Sequence, residues 1–173
     1  MRFLTGLRLR SATKGRVYRQ RYEKGHVVYK LKVVDECDPE KTGTKVTSFR
    51  MKLFLKIQYL IMIRKQRFRE MAFLTKGLKI VLRDDREEEP KERTFHYEGG
   101  IKEFVSYLNR SATPLYEQII YCEGMVNNVS VEVAMQHNDS YSDNTYGFVN
   151  NITTPEGGTH VVGFRNAITK TFK

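Results

Sequence analysis

Several features that mark whole classes of protein are scarce in this sequence. Its 173 residues include no tryptophan, four prolines and two cysteines. Cys37 and Cys122 lie far apart without CxxC spacing, which favours reduced thiols in a cytoplasmic protein over a disulfide framework. No apolar run approaches the roughly 18 residues that span a bilayer, so we expect no membrane partner.

Acidic residues are missing from two segments, residues 1–14 and 49–64. The basic residues of these segments are Arg2, Arg8, Arg10, Lys14, Arg50, Lys52, Lys56 and Arg64. They account for most of the net charge of +10, and the remainder of the chain is close to neutral. A charge this positive usually suggests nucleic-acid binding, but its confinement to two segments argues against that interpretation.

Alternation of apolar and polar residues predicts a β-hairpin over residues 16–34, with its turn at Lys24-Gly25. The residues expected on the buried face of its second strand are Val27, Tyr29, Leu31 and Val33. A polar loop over residues 35–44 and a short strand over 45–47 follow. Residues 65–75 then read as a helix that Lys76-Gly77 ends. Its predicted apolar face contains Phe68, Met71 and Ala72.

A second hairpin is predicted between residues 78 and 97, with a charged, exposed loop over residues 83–93. After Gly99-Gly100, apolar residues at i, i+3, i+4 and i+7 predict a helix of about ten residues. These residues are Ile101, Phe104, Val105 and Leu108.

The last part of the chain predicts strands over residues 118–122, 129–135 and 146–149, and a loop over 150–158. The middle strand has one apolar face, made of Val129, Val131, Val133 and Met135. A final helix carries Val161, Phe164, Ile168 and Phe172 on one side. Helices and mainly antiparallel strands together predict a layered α+β fold.

Two short motifs admit both a functional and an ordinary interpretation. Gly43-Thr44-Lys45-Val46 is a turn entering a strand, where a glycine admits a ligand and the threonine hydroxyl can bond a purine. From spacing alone, an ordinary turn is the favoured interpretation. Gly157-Gly158-Thr159-His160 precedes a helix, whose amides can hold a phosphate, or it is a glycine-rich loop with Thr159 as N-cap.

No catalytic or metal site follows from the remaining residues. The four histidines lack metal-ligand spacing, and His96 within its strand favours a structural role. The spacing of the aromatic residues fits core packing better than a base-stacking platform.

Long stretches of the sequence resemble one family, the B subunits of bacterial DNA gyrase, which are the ATP-driven subunits of a type II topoisomerase. The matching stretches, in the family's order, are VYRQRYEKG, TGTKVT, RFREMAFLTKGLKIVLRDDR, FHYEGGIKEFVSYLN and NDSYSDNTYGFVNNITTPEGGTHVVGFR. FHYEGGIKEFV favours gyrase over its relative topoisomerase IV. The resemblance covers about four-fifths of the chain.

The resemblance implies a domain organisation and a set of partners. Residues 1–98 would be the C-terminal part of a GHKL ATPase domain, and residues 99–173 the first half of a transducer domain with a ribosomal-protein-S5-like fold. It implies Gly43, Thr44 and Val46 as nucleotide contacts. In the complete protein it implies ATP and magnesium as cofactors, the gyrase A subunit and DNA as partners, and a homodimer through the B subunit.

The same resemblance implies which groups these residues do not supply. The family's catalytic glutamate, magnesium-binding asparagine, adenine-binding aspartate and ATP lid would lie upstream of Met1. Its γ-phosphate-sensing lysine would lie beyond Lys173. Because hydrolysis needs a positioned water, a base and bound magnesium, we expect the chain alone to be inactive and to bind nucleotide weakly.

The two basic segments depart from the family, and we interpret both as reading-frame shifts. Codons for residues 49–64 can be chosen so that the neighbouring reading frame encodes LPDETIFENTVFDYDT. Codons for residues 1–14 can likewise be chosen so that the neighbouring frame encodes NALSDWLEVEVRDQ. Both strings resemble the family, and the net charge would fall to roughly −6. Met1 would then be an out-of-frame methionine within a longer gene, which the nucleotide sequence can test.

As it stands, the segment 49–64 predicts a helix joined to residues 65–75, or a poorly packed, aggregation-prone stretch. A basic amphipathic membrane helix is the alternative. For the whole chain, three functions remain open: an enzyme fragment, a non-catalytic transducer-like module, and a non-functional decayed or misread product. Nucleotide binding distinguishes the first two, and cooperative melting distinguishes the last two.

Overall fold

The structure is a computed structural model that describes residues 4–50, 57–86, 88–141 and 143–171. Its contacts divide the chain into two compact units, Met1–Tyr59 and Leu60–Lys173. Helices and antiparallel sheets occur together, as the α+β prediction requires.

The first unit is an antiparallel sheet with strand order β3-β2-β1-β4. Its strands are β1 (Leu4–Thr13), β2 (Arg16–Glu23), β3 (His26–Glu36) and β4 (Gly43–Arg50). Tight turns at Lys14-Gly15 and Lys24-Gly25 join the first three strands, and all four turn residues have positive φ. The predicted hairpin over residues 16–34 is therefore confirmed, and β4 is longer than the predicted strand.

β1 has no counterpart in the sequence prediction, which assigned no element to residues 1–14. It lies between β2 and β4 and pairs with both, for example Ser11 with Tyr18 and with Thr44. The backbone of a central strand bonds to two neighbours, so pairing on both sides stabilises this segment.

The prediction of a buried face on β3 is wrong for the described residues. Val27, Leu31 and Val33 are 52%, 61% and 48% exposed, and only Tyr29 of the predicted set is half-buried. Alternation creates an apolar face, but burial needs a second layer packed on that face. In this unit the described strands form a single sheet.

The second unit combines helices with two-stranded sheets. Its elements are α1 (Ile57–Leu74), β5 (Lys79–Asp84), β6 (Lys91–His96), α2 (Gly100–Leu108), β7 (Ile120–Val126), β8 (Val129–Met135), β9 (Phe148–Val149), β10 (Ile152–Thr153) and α3 (Thr159–Thr171). A 3-10 turn, Asn109–Ser111, follows α2. The pairs β5-β6, β7-β8 and β9-β10 are all antiparallel.

Aromatic side chains form the core of this unit. Phe73 of α1 is 1% exposed, Phe95 of β6 is 2% exposed and Phe104 of α2 is 6% exposed. The Phe73 ring lies 5.1 Å from the Phe104 ring and 5.6 Å from the Tyr107 ring, centroid to centroid. Because the Phe104 and Tyr107 rings both adjoin Phe73, α1 and α2 share one apolar core.

The predicted apolar face of α1 is partly wrong. Ala72 is fully buried, as expected, but Met71 is 44% exposed. Phe73 and the carboxylate of Glu70 are buried in its place. The buried face of α1 is therefore the face that contacts the aromatic cluster, and it differs from the face predicted from the spacing of apolar residues. The expected helix within residues 49–64 is confirmed from residue 57 onward, and residues 51–56 lie outside the described residues.

Three further predictions differ from the structure in part. The predicted loop over residues 150–158 contains β10, which pairs with β9 through a turn at Asn150-Asn151 where both residues have positive φ. Val129 and Val131 of β8 are 60% and 47% exposed, so that predicted face is largely uncovered. On α3 the predicted face is half-buried at its first three positions, and Phe172 lies outside the described residues.

Both cysteines are free thiols. Among the described helices, none combines the length and the apolar character that crossing a membrane requires.

Candidate functional site

The three predicted nucleotide contacts lie together at the beginning of β4. Gly43 is its first residue, and a Cβ added there would meet no atom within 4 Å. Thr44 is exposed, and Val46 is 58% exposed. Alternation along a strand directs the side chains of Thr44 and Val46 to the same face of the sheet. An open glycine, a hydroxyl and an apolar contact therefore adjoin one another.

A serine that sequence reasoning missed lies beside this motif. Ser11 is the β1 partner of Thr44, and the two hydroxyl oxygens are 3.1 Å apart. The Ser11 hydroxyl also lies 3.5 Å from the Gly43 carbonyl oxygen, which accepts from it. Ser11 lies in residues 1–14, which contain none of the stretches that carried the resemblance, so the resemblance gave no signal for it. The contact fixes the Thr44 hydroxyl at the sheet surface.

The opposite face of the same sheet carries a basic groove of about 390 Å³. Its lining residues are Arg8, Arg10, Arg19, Val34, Asp35, Lys45 and Thr47. Arg10 lies directly opposite Arg19 on β2 and Lys45 on β4, and its guanidinium is 3.4 Å from the Asp35 carboxylate. Lys45 alternates with Thr44, so the groove and the predicted nucleotide contacts lie on different faces.

The residues present suit one edge of a purine site better than a metal centre. Gly43, Thr44 and Val46 offer an unobstructed backbone, a hydroxyl and an apolar surface, the groups that hold a base by its edge and its face. Within the described ranges, no group of three His, Cys, Asp or Glu side chains is arranged to hold a metal ion.

In the glycine-rich loop before α3, the histidine of the motif, His160, contacts a residue of the same loop. The His160 Nε2 atom is 3.0 Å from the Thr154 hydroxyl, and the Gly157 amide donates to the Thr154 carbonyl at 2.9 Å. A Cβ at Gly147 would lie 2.7 Å from Val161 and 2.9 Å from Thr154, so the loop packs closely against β9. These contacts support the loop interpretation of the motif.

His96 has structural neighbours on its hairpin. Its Nδ1 atom lies 3.4 Å from the Leu78 carbonyl oxygen, and its Nε2 atom lies 3.6 Å from the Glu98 carboxylate. The ring therefore lies between the beginning of one strand and the end of its partner, which agrees with the structural role predicted for it.

An ionic network that the sequence did not predict surrounds Tyr121 on β7. Its hydroxyl lies within hydrogen-bond distance of the Glu123 carboxylate and 3.0 Å from the Glu132 carboxylate, and the two carboxylates share its single proton. The Lys102 ammonium lies 4.3 Å from the centre of its ring, and Lys76 pairs with Glu132 at 3.4 Å. The hydrogen bond to Glu123, followed by partial burial and the bond to Glu132, raises the pKa of Tyr121. The phenol thus stays protonated as a donor.

Comparison with known proteins identifies the relatives of the chain. Residues 100–173 match the family model described as DNA gyrase B. The chain is 44% identical to the DNA gyrase B subunit of Clostridium acetobutylicum over 161 residues, which cover 91% of the chain and 24% of that protein. It is also 44% identical to the B subunit of DNA topoisomerase 4 from Enterococcus faecalis, over 90% of the chain and 23% of that protein.

A solved structure shares the fold over nearly the whole chain. The 43K ATPase domain of Thermus thermophilus gyrase B superposes with a TM-score of 0.72 and 30% identity, over 95% of this chain and 45% of that one. Together the matches make the chain similar to the B subunits of bacterial type II topoisomerases, the class that includes both kinds of relative. Within that class, residues 100–173 are similar to the DNA gyrase B family. The chain spans about a quarter of the length of these two relatives.

Proposed function

We propose that the chain is part of the ATP-hydrolysing B subunit of a DNA gyrase, a type II topoisomerase that couples ATP to DNA strand passage and negative supercoiling. The observation that carries this proposal is the 44% identity to a gyrase B subunit, spread over 91% of the chain. We also assign the family's partners to the complete protein: the gyrase A subunit, DNA and a second B subunit, in the cytoplasm.

Within that larger protein, residues 1–98 form the end of the GHKL ATPase domain and residues 99–173 the first half of the S5-like transducer. Support comes from the family match, which begins at residue 100, and from α2, which begins there after Gly99. The division between compact units lies elsewhere, between Tyr59 and Leu60, because α1 and the β5-β6 hairpin share the aromatic core of α2.

In the complete protein, the base of ATP contacts Gly43, Thr44 and Val46. ATP, when bound, supplies the energy of strand passage. The exposed Thr44 hydroxyl beside an open glycine supports this role. Residues outside this chain hold the magnesium ion and activate water. The chain alone therefore binds ATP weakly and does not hydrolyse it.

A chimaera tests the proposal. The corresponding segment of Clostridium acetobutylicum gyrase B is replaced by residues 15–48 and 65–173 of this chain, with the relative's own residues between them. Combined with the gyrase A subunit of that organism, the chimaera should supercoil DNA in the presence of ATP. Thr44→Ala should raise the KM for ATP several-fold, because one base contact is lost. A chimaera that folds and dimerises but does not supercoil would refute the assignment.

We also propose that residues 1–14 arise from a shifted reading frame. In the neighbouring frame, NALSDWLEVEVRDQ has glutamate at positions 8 and 10, where this chain has Arg8 and Arg10. Those positions face Arg21, Arg19 and Lys45 across the sheet. Opposite charges across strands stabilise a sheet and like charges destabilise it, so the neighbouring frame supplies the charges that this sheet needs. Sequencing the gene tests the idea: an in-frame start with unrelated upstream sequence would contradict it.

A further inference from the structure

The second unit contains a concave pocket that the predicted nucleotide contacts do not include. It lies where α1, β6 and α2 meet, and its volume is about 350 Å³. Four of its lining residues are cationic: Lys65, Arg69, Arg93 and Arg110. Among the described residues, Glu70 is the one acidic residue that lines it.

The acidic group does not neutralise these cations, because other groups engage it. The Glu70 side chain accepts from Gln66 at 3.0 Å, from Arg67 at 3.2 Å and from Thr153 at 3.4 Å. Across the part of the chain that the structure describes, the four pocket cations make no ion pair. The pocket therefore has a surplus of positive charge within a small volume, and an anion would relieve it.

Two of the cations are held in place by an aromatic ring. The guanidinium carbons of Arg69 and Arg110 lie 4.6 Å and 4.1 Å from the centre of the Tyr107 ring. Arg69 also donates to the Tyr107 hydroxyl and lies 6.0 Å from the centre of the Phe95 ring. Stacking on a buried aromatic cluster restricts these side chains, which lowers the entropy cost of binding a ligand.

We propose that this pocket binds a small multivalent phosphate anion, such as inorganic pyrophosphate or the phosphate groups of a nucleotide. The planar donors of arginine match phosphate oxygens in pairs, and Lys65 adds a compact charge. The volume falls within the range of small-molecule sites, whereas a nucleic-acid backbone needs an extended groove. The residues that line the pocket do not include the predicted nucleotide contacts, and the proposal is independent of the gyrase assignment.

Isothermal titration calorimetry of the full chain with sodium pyrophosphate at low ionic strength tests the proposal. We expect saturable binding that Arg93→Gln with Arg110→Gln together weaken at least tenfold. Both residues are exposed, so both substitutions should leave the fold intact, which a thermal melt checks. Arg16→Gln removes an exposed guanidinium outside the pocket and should change the affinity less than twofold.

Further titrations distinguish the sources of the phosphate. If the pocket recognises only the phosphates, ADP and pyrophosphate should bind with similar affinity and AMP should bind more weakly. Tight binding of AMP would show that the pocket also recognises the base. Absence of binding by pyrophosphate and ADP would overturn the proposal. Equal weakening by Arg16→Gln and by the pocket variants would also overturn it, because the attraction would then be non-specific charge. Binding of a single-stranded oligonucleotide without pyrophosphate binding would count against it equally.

Discussion

The ring of Phe73 stacks on the ring of Tyr97, with centroids 3.7 Å apart and ring planes inclined by 17°. Phe73 lies in α1 and Tyr97 immediately follows β6, so this pair joins the helix to the hairpin that follows it. Phe104 and Tyr107 of α2 adjoin the same ring. One side chain thus connects three elements of the second unit.

Replacing Phe73 should destabilise this unit more than any neighbouring change on α1. Phe73→Ala removes a buried ring and leaves a cavity, so we expect a loss of about 3–5 kcal/mol in the free energy of unfolding. Urea denaturation followed by circular dichroism measures it. Met71→Ala is the matched control, because Met71 is 44% exposed on the same helix. Equal losses for both variants would contradict the assigned core.

Two glycines should respond to alanine with opposite signs. Gly100 has φ of +61°, and a Cβ there would lie 2.7 Å from the Lys76 side chain, so Gly100→Ala should cost about 1–3 kcal/mol. Gly163 lies within α3, with open space where a Cβ would be, so Gly163→Ala should gain about 0.5–1 kcal/mol through helix propensity. Thermal melts of both variants test this pair, and a stabilising Gly100→Ala would disprove the backbone assignment.

Acid should weaken one loop contact in a predictable direction. The Thr113 amide donates to the Asp139 carboxylate at 3.0 Å, and this bond lowers the pKa of Asp139. A carboxyl whose native pKa is depressed stabilises the fold above its unfolded pKa, and the contribution is lost as pH falls through the native pKa. The melting temperature should therefore fall less for Asp139→Asn than for the unsubstituted chain between about pH 6 and about pH 2.

The control for this pH series is Glu156→Gln, which removes an exposed carboxyl elsewhere in the same unit. Its acid-induced decrease should match that of the unsubstituted chain. If Asp139→Asn also matches it, the Thr113 contact does not contribute to acid sensitivity.

Charge reversal on β1 should stabilise the first unit. Arg8→Glu with Arg10→Glu places carboxylates opposite Arg21, Arg19 and Lys45, and we expect a gain of about 1 kcal/mol in the free energy of unfolding. The lost pairing of Arg10 with Asp35 subtracts little, because both side chains are more than half exposed.

Lys14→Glu with Lys24→Glu changes the net charge equally, but at turns rather than within the strand ladder. That control should alter stability by less than half as much. If it stabilises the chain equally, net charge rather than cross-strand pairing is responsible.

Local patterns predicted most elements of the second half correctly. The i, i+3, i+4, i+7 spacing from Ile101 predicted α2, and turn residues predicted the hairpins, because these signals depend on neighbours within a few positions. Burial was less predictable. Val27 and Val129 lie on predicted apolar faces, yet both are exposed, because covering a face depends on elements distant in the chain.

The candidate nucleotide contacts were predicted only through family resemblance. Spacing alone left Gly43-Thr44 as an ordinary turn, and nothing in the sequence pointed to Ser11 as the partner of Thr44. Strand register brings them together across an interval of 33 residues. The phosphate pocket could not be predicted from the sequence either. Its residues Lys65, Arg93 and Arg110 belong to three separate elements or turns, and only the fold brings them together.

The sequence by itself determined the resemblance to gyrase B subunits, the α+β composition and most helix and strand positions, because similarity and short-range periodicity depend on consecutive residues. Only the tertiary structure decided which side chains are buried, that Phe73 joins three elements, and that residues 4–13 form a central strand. It also decided which cations remain without a carboxylate partner among the described residues. These properties arise from contacts between residues far apart in the chain, and pairing and packing establish them only when the chain folds.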